Sequence, residues 1–472
     1  MLLLKLIIHR MSRRQVNSYS KLLSSLRLIA AYSILVGCLW YLGSSLIGYA
    51  IDANHAKESF SMLRGVRMQP AFADLQWIAV IGECGTKLQT LYKSAAASCA
   101  TYGYGMHGGG YSDSGYPPMS MWFFRWLQFP ARQSSVLAVV SGVAFVIVLL
   151  GFSKGLLRSP WAWPLWLSII LVSFPVQLVL ERGNLDVLIF LVLTVTAVCI
   201  SMRCRVSWLP SGLLTLLAVS LKVYPVVGFA GWLAFGQIAG SRSWRVSRAV
   251  RAAVLMGCAV GLALSLPWLF GSVELNAVGI MASHGLRSTG NIKDFLVEQI
   301  GVGSARWVIG GLNIMKSLVL VIGAALAARL RLHSALQHHL QTIGDGFFNR
   351  FSQAFFLITS WTWLGCYILI ISYDYRHIFV LPSLFFLLSM VDRHADLAPR
   401  QYALVLTLIA ASMIFILFPL FYLNGLSHYG MISKVCKLSI EILILPFFAG
   451  ALAMLLVSHR FQHRTSVSLG LS

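Results

Sequence analysis

The sequence predicts an all-α polytopic membrane protein, a bundle of about 11–13 transmembrane spans with a large first outer loop. Three observations carry this: an apolar composition, apolar runs of span length, and basic residues gathered on one side. Hydrophobic residues fill 58% of the 472 positions and charged residues only 11%, with a mean hydropathy of +0.76. A soluble domain carries about a quarter charged residues.

Most of the apolar runs between residues 27 and 457 are about 16–24 residues long, the length that crosses roughly 30 Å of hydrocarbon. The spans read as 27–50, 134–152, 161–180, 185–202, 209–221, 223–238, 250–270, 308–329, 352–372, 376–391, 401–421 and 437–457. The first lacks a small-residue cleavage site and reads as an ordinary span, not a cleaved leader. Residues 1–26 form a basic N-terminus, 27–457 a single transmembrane domain and 458–472 a short tail.

The formal charge of +22 is a matter of sidedness. Short loops rich in Lys and Arg stay in the cytoplasm. With both termini inside, 21 of the 37 basic residues face the cytoplasm with three acids, and 16 face outward with twelve. The net is then +18 inside and +4 outside, accounting for the +22. The inner runs include Arg10, Arg13 and Arg14, Arg242 to Arg251, and Arg460 with Arg464. This excess reads as topology, not as a nucleic-acid footprint, and the expected location is a multi-pass position in a membrane with both termini cytoplasmic.

Residues 51–133 form an outer loop of about 80 residues, too long for a mere connector. It holds Asp74-Leu75-Gln76-Trp77, a Gly/Tyr-rich strip, and Tyr116-Pro117-Pro118 before an aromatic run from Trp122 to Trp126 suited to the lipid–water interface. A second outer loop, 271–307, holds His284, Arg287, Asn291, Lys293 and Asp294. The short segments 209–221 and 223–238 meet at Lys222-Val223-Tyr224-Pro225, and Pro-interrupted apolar pieces are where membrane proteins build binding sites. Cys84 and Cys99 share the first outer loop and can pair there as a disulfide or remain thiols. Cys199 and Cys204 lack a second ligand pair for zinc, so neither a metal nor a cofactor is expected.

Four polar clusters face outward. Asp74 offers a carboxylate able to act as a general base, in competition with Asp52, Glu58, Glu83 and Asp113. Glu181-Arg182-Gly183-Asn184-Leu185-Asp186 is an almost loopless turn. Arg182 and Asn184 can hydrogen-bond a phosphate or sugar, or Arg182 can pair with Glu181 or Asp186. Lys222, with Tyr224 beside it, either snorkels to headgroups or meets an anionic ligand. In Tyr373-Asp374-Tyr375-Arg376-His377, Asp374 and Arg376 pair, or Arg376 takes a phosphate while Asp374 holds it in place. An outward site with several cations and few carboxylates suits an anion anchored in the membrane, such as a lipid phosphate.

This arrangement resembles the GT-C superfamily of integral-membrane glycosyltransferases, and glycosyltransferase family 87 in particular. The resemblance rests on the order of Asp74, Tyr116-Pro117, Arg182-Gly183-Asn184, Lys222 to Pro225, and Tyr373 to Arg376, between residues 27 and 391. It implies a GT-C-like helical bundle that moves a hexose, such as mannose, from a polyprenyl-phosphate donor to a glycan or lipid acceptor on the periplasmic side, with inversion. Asp74 becomes the base, and Arg182, Lys222 and Arg376 hold the donor phosphate, with Asn184, Tyr224 and Asp374 around it. A flippase of lipid-linked sugars would carry polar groups at the midplane of two repeats. A polysaccharide polymerase or ligase would carry its large loop late in the chain.

Overall fold

The computed structural model describes residues 13–51, 133–202, 207–238, 321–344, 346–369, 372–393 and 397–422, with isolated positions at 72, 75, 123, 124, 126, 127, 283, 284, 314, 318, 451 and 452. The first half contributes α1 (Arg13–Ile51), α2 (Ser134–Leu156), α3 (Ala162–Leu171), α4 (Phe174–Arg182), α5 (Leu185–Ser201), α6 (Trp208–Leu221) and, after a short 3-10 turn (Tyr224–Val227), α7 (Gly228–Ile238). Beyond residue 280 come β1 (Ser283–His284), α8 (Leu332–Thr342), α9 (Phe347–Leu369), β2 (Ser372–Tyr373), a second 3-10 turn (Asp374–Val380), α10 (Leu381–Arg393) and α11 (Pro399–Tyr422).

The described residues are almost entirely helical, and two or three of their helical segments are candidate membrane spans. Among the described residues, Lys21–Gly48 and Ser134–Leu156 are long and apolar enough to cross a bilayer. The pair α3 and α4, bent by 54°, makes a third if read as one broken span. Pro175 in the first turn of α4 sits at this break, because proline supplies no N–H to the preceding turn. Most of the expected outer loop 51–133, Cys84, Cys99 and Cys204, and the expected spans 250–270 and 437–457 apart from residues 451 and 452, lie outside the described residues.

Two readings of the sequence need correction. The segment 376–391 does not begin as a span: a 3-10 turn occupies Asp374–Val380, and α10 covers only the 13 residues Leu381–Arg393. The segment 330–351, expected to be a loop between two spans, contains a helix, α8, that the span pattern passed over. Its buried Leu332, Ala335, Leu336, His339 and Leu340 follow the helical spacing of an amphipathic element.

α9 runs through the middle, packed on α5, α7 and α10. Its approach to the first 3-10 turn requires a bare backbone, since a Cβ at Gly365 would lie 2.4 Å from the carbonyl oxygen of Tyr224. Small residues at such crossings are how membrane helices bring their backbones together. Between α2, α5, α9 and α10 lies an aromatic core: Phe190 meets Phe145 at 4.8 Å and Phe355 at 5.2 Å, edge to face. Phe379 extends it to Tyr224 at 5.7 Å.

One end of the bundle is closed by basic caps on helix C-termini, where the helix dipole favours cations. Arg393 donates to the carbonyl of Leu156 through Nη2 at 2.8 Å, and Arg350 donates to that of Ser201 through Nε at 2.9 Å. Asp392 accepts from the Arg158 amide at 2.6 Å. The charged cluster described next stands at the other end of α5.

Candidate functional site

The site is built on the reversal between α4 and α5. Gly183 closes α4 at φ +55°, a left-handed conformation that glycine adopts without strain. A side chain there would also press on Phe72 and Ala138, each 3.0 Å from the added Cβ. Asn184 then caps α5, its Oδ1 accepting from the Asp186 amide at 2.9 Å. The cap sets Asp186 in the first turn of α5, where the helix dipole favours a carboxylate.

Asp186 is wholly buried and is the hub of the site. Its Oδ1 accepts from Lys222 Nζ and from the Tyr224 hydroxyl, the latter at 2.6 Å. Its Oδ2 faces Arg376 Nε at 3.6 Å, an ion pair longer than a hydrogen bond. Lys222 also donates to Asn184 Oδ1 at 3.2 Å. The Arg376 guanidinium lies over the Tyr224 ring, 5.4 Å from its centroid, within cation–π range. Beside it, His377 accepts through Nδ1 from the Trp363 indole at 3.2 Å, which leaves the proton of the neutral ring on Nε2.

Three elements deliver these groups. Lys222 leaves the end of α6 in extended conformation, at φ −151° and ψ 150°, turning its stem toward α5. Pro225 shapes the 3-10 turn that carries Tyr224. The second 3-10 turn brings Arg376, where β2 pairs antiparallel with β1, Ser283 opposite Tyr373 and His284 opposite Ser372.

The structure thus brings together Asn184, Lys222, Tyr224 and Arg376. Lys222 does not snorkel: it is only 4% exposed and ends on Asp186. The described carboxylate facing Arg376 is Asp186, from α5, while the side chain of Asp374 lies outside the described residues. Arg182 is half-buried in the last turn of α4. Asp74, Tyr116, Pro117, Arg287 and Lys293 lie outside the described residues. Phe72 and Leu75, on either side of Asp74 in sequence, are buried, and the Phe72 amide donates to the Glu181 carbonyl at 2.8 Å.

Sequence reasoning treated Asp186 only as a partner within its own turn. The signal for more was its burial, since an acid one residue inside an apolar 17-residue helix needs a cation from elsewhere. The cluster pairs two buried cations with one carboxylate, and Glu181 with Arg182 adds no net charge. Among the described side chains the site therefore carries a net charge of +1.

Residues 115–343 match the model of glycosyltransferase family 87. This stretch takes in Asn184, Asp186, Lys222 and Tyr224 and leaves out Asp74 and Arg376. No curated protein matches the chain, and no solved structure does. This match supports the resemblance carried by the motifs, and together with the apolar helices it supports a membrane glycosyltransferase of that kind.

Proposed function

We propose, with family 87 as the premise, that the chain transfers a hexose from a polyprenyl-phosphate donor to a hydroxyl of a glycan or lipid acceptor at the outer membrane face. One observation carries the reading: two buried cations, Lys222 and Arg376, from distant parts of the chain converge on one end of α5 with Asn184 and Tyr224, the kind of cluster that receives an anion.

In this mechanism the acceptor hydroxyl gives its proton to the Asp74 carboxylate, and its oxygen bonds to the anomeric carbon. The bond from that carbon to the phosphate oxygen breaks, and its electron pair stays on the phosphate. Lys222 and Arg376 stabilise the growing charge, with Asn184, Tyr224, Arg182 and Asp374 placed around the phosphate and sugar. Direct displacement inverts the anomeric centre. The Phe72–Glu181 backbone bond supports the choice of Asp74: the residue two positions before it is tied to the turn, and two trans peptide units span at most about 7.6 Å.

The test is a transfer assay on the full chain in proteoliposomes with a panel of polyprenyl-phosphate hexoses. Asp74→Asn is expected to abolish transfer while membrane abundance and lipid-phosphate binding stay at wild-type levels. Lys222→Gln is expected to lose lipid-phosphate binding itself. An unaltered product profile in Asp74→Asn removes Asp74 as the base, and unchanged binding in Lys222→Gln removes the cluster as the phosphate site.

A further inference from the structure

We propose that Phe72 is a positioning residue: seated on Gly183, it fixes how far the Asp74 carboxylate stands from the cation cluster, and so from the donor phosphate. The inference rests on reading Asp74 as the base and the cluster as the phosphate site.

The end of α4 is built to receive Phe72. The Gly183 and Asn184 amides return to the carbonyls of Leu180 and Val179, the pattern of a helix closed by a left-handed glycine. Those two bonds pass over the Glu181 carbonyl, one of the last of the helix, and the Phe72 amide donates to it at 2.8 Å. Shape follows the same line. The space a Cβ on Gly183 would need is taken by Phe72, whose Cβ and Cδ1 would lie 3.0 and 3.1 Å from the added atom. Phe72 is wholly buried and stands at φ +59°. A bulky residue keeps that left-handed conformation only where its surroundings hold it there, and such residues gather at functional sites.

The seat lies between the two halves of the proposed site. On one side, Asn184 follows Gly183 directly and caps α5 ahead of Asp186, on which Lys222 and Arg376 converge. On the other, Asp74 comes two positions after Phe72 and one before Leu75, which is also buried. Two trans peptide units reach at most about 7.6 Å, so whatever fixes position 72 limits where position 74 can stand. Displacing a reacting group by about 1 Å can cost on the order of a hundred-fold in rate.

The experiment follows transfer by the full chain in proteoliposomes, with the polyprenyl-phosphate hexose that wild type turns over. Beside it, a short-chain polyprenyl phosphate is titrated to give its Kd and the number of binding sites per chain. Phe72→Ala removes the ring and leaves the backbone bond. It is expected to lower kcat at least about ten-fold, with the wild-type number of sites and a Kd changed less than about three-fold. Phe72→Leu keeps a branched side chain over Gly183 and is expected to fall between, about two- to five-fold below wild type. Phe72→Gly, relieved of the left-handed strain, is expected to melt no lower than Phe72→Ala and yet to be no faster. A merely structural residue would lose sites and rate together, and rate would follow melting temperature across the three variants. Either result overturns the proposal, as does wild-type kcat in Phe72→Ala. Should Phe72→Ala fail to fold, Phe72→Leu is read alone, and wild-type kcat there overturns it. If Asp74→Asn transfers like wild type, or Lys222→Gln binds like it, the reading of the site fails. If both lose function as expected and the Phe72 variants keep wild-type kcat, the positioning role alone falls.

Discussion

Replacing Asn184 by aspartate separates the structural work of the turn from its electrostatic work. Asn184 Oδ1 accepts from the Asp186 amide at 2.9 Å and from Lys222 at 3.2 Å. Aspartate retains both acceptor roles and is favoured at a helix N-terminus, but its charge is buried within about 6 Å of Asp186, so stability is expected to fall by about 1–3 kcal/mol. What changes is charge, since the described cluster goes from +1 to zero. A carboxylate at 184 would stand about 6 Å from a phosphate oxygen seated on the Lys222 ammonium. At an effective dielectric of about 20, that repulsion is roughly 3 kcal/mol, or about a hundred-fold in affinity. The assay pairs the thermal stability of the solubilised protein with its Kd for a polyprenyl phosphate. A lowered but still cooperative melting transition, with binding weakened ten-fold or more, is expected. Wild-type affinity in a well-folded Asn184→Asp protein would refute the assignment of the cluster to a phosphate.

Other substitutions divide along the same line. Tyr224→Phe deletes the hydroxyl bonded to Asp186 at 2.6 Å and is expected to cost about 1–3 kcal/mol of stability, read by thermal denaturation. Arg376→Lys keeps the charge but loses the planar contact with the Tyr224 ring at 5.4 Å, so the donor KM is expected to rise more than kcat falls. Gly365→Ala forces a methyl to 2.4 Å from the Tyr224 carbonyl oxygen and is expected to reduce folded protein in the membrane by about 1–3 kcal/mol of destabilisation, seen as lost monodisperse protein after extraction. Arg350→Ala uncaps α5 at Ser201, far from the cluster, and is expected to cost about 1 kcal/mol while lipid-phosphate binding holds.

Much of the helical pattern was legible because apolar length is set by the bilayer: 134–152 and 161–180 anticipated α2 and the bent pair α3–α4 within a few residues. Hydropathy failed where backbone shape departs from helix without a change in polarity. The 3-10 turn from Asp374 to Val380 ends in the apolar residues Ile378-Phe379-Val380 and so reads as the start of a span. α8 was missed for the opposite reason, its length and polarity falling below any span threshold. At the site, Lys222, Tyr224 and Arg376 stood out because charge and phenol are conspicuous among apolar neighbours. Asp186 did not, because a local explanation lay nearer in sequence. Its cations are 36 and 190 positions away, a pairing that only tertiary packing sets.

α5 has a consequence for the bilayer itself. Its 17 residues rise about 26 Å, some 4 Å less than a typical hydrocarbon core. The Ser201 end is held by Arg350 and the other end is occupied by Asn184 and Asp186. On the function proposed above, a bundle this short beside the site meets its hydrophobic mismatch by local thinning of the bilayer, which brings the headgroups of one leaflet, and a lipid phosphate among them, down toward Lys222 and Arg376. Bilayer thickness is then a control on the proposed reaction.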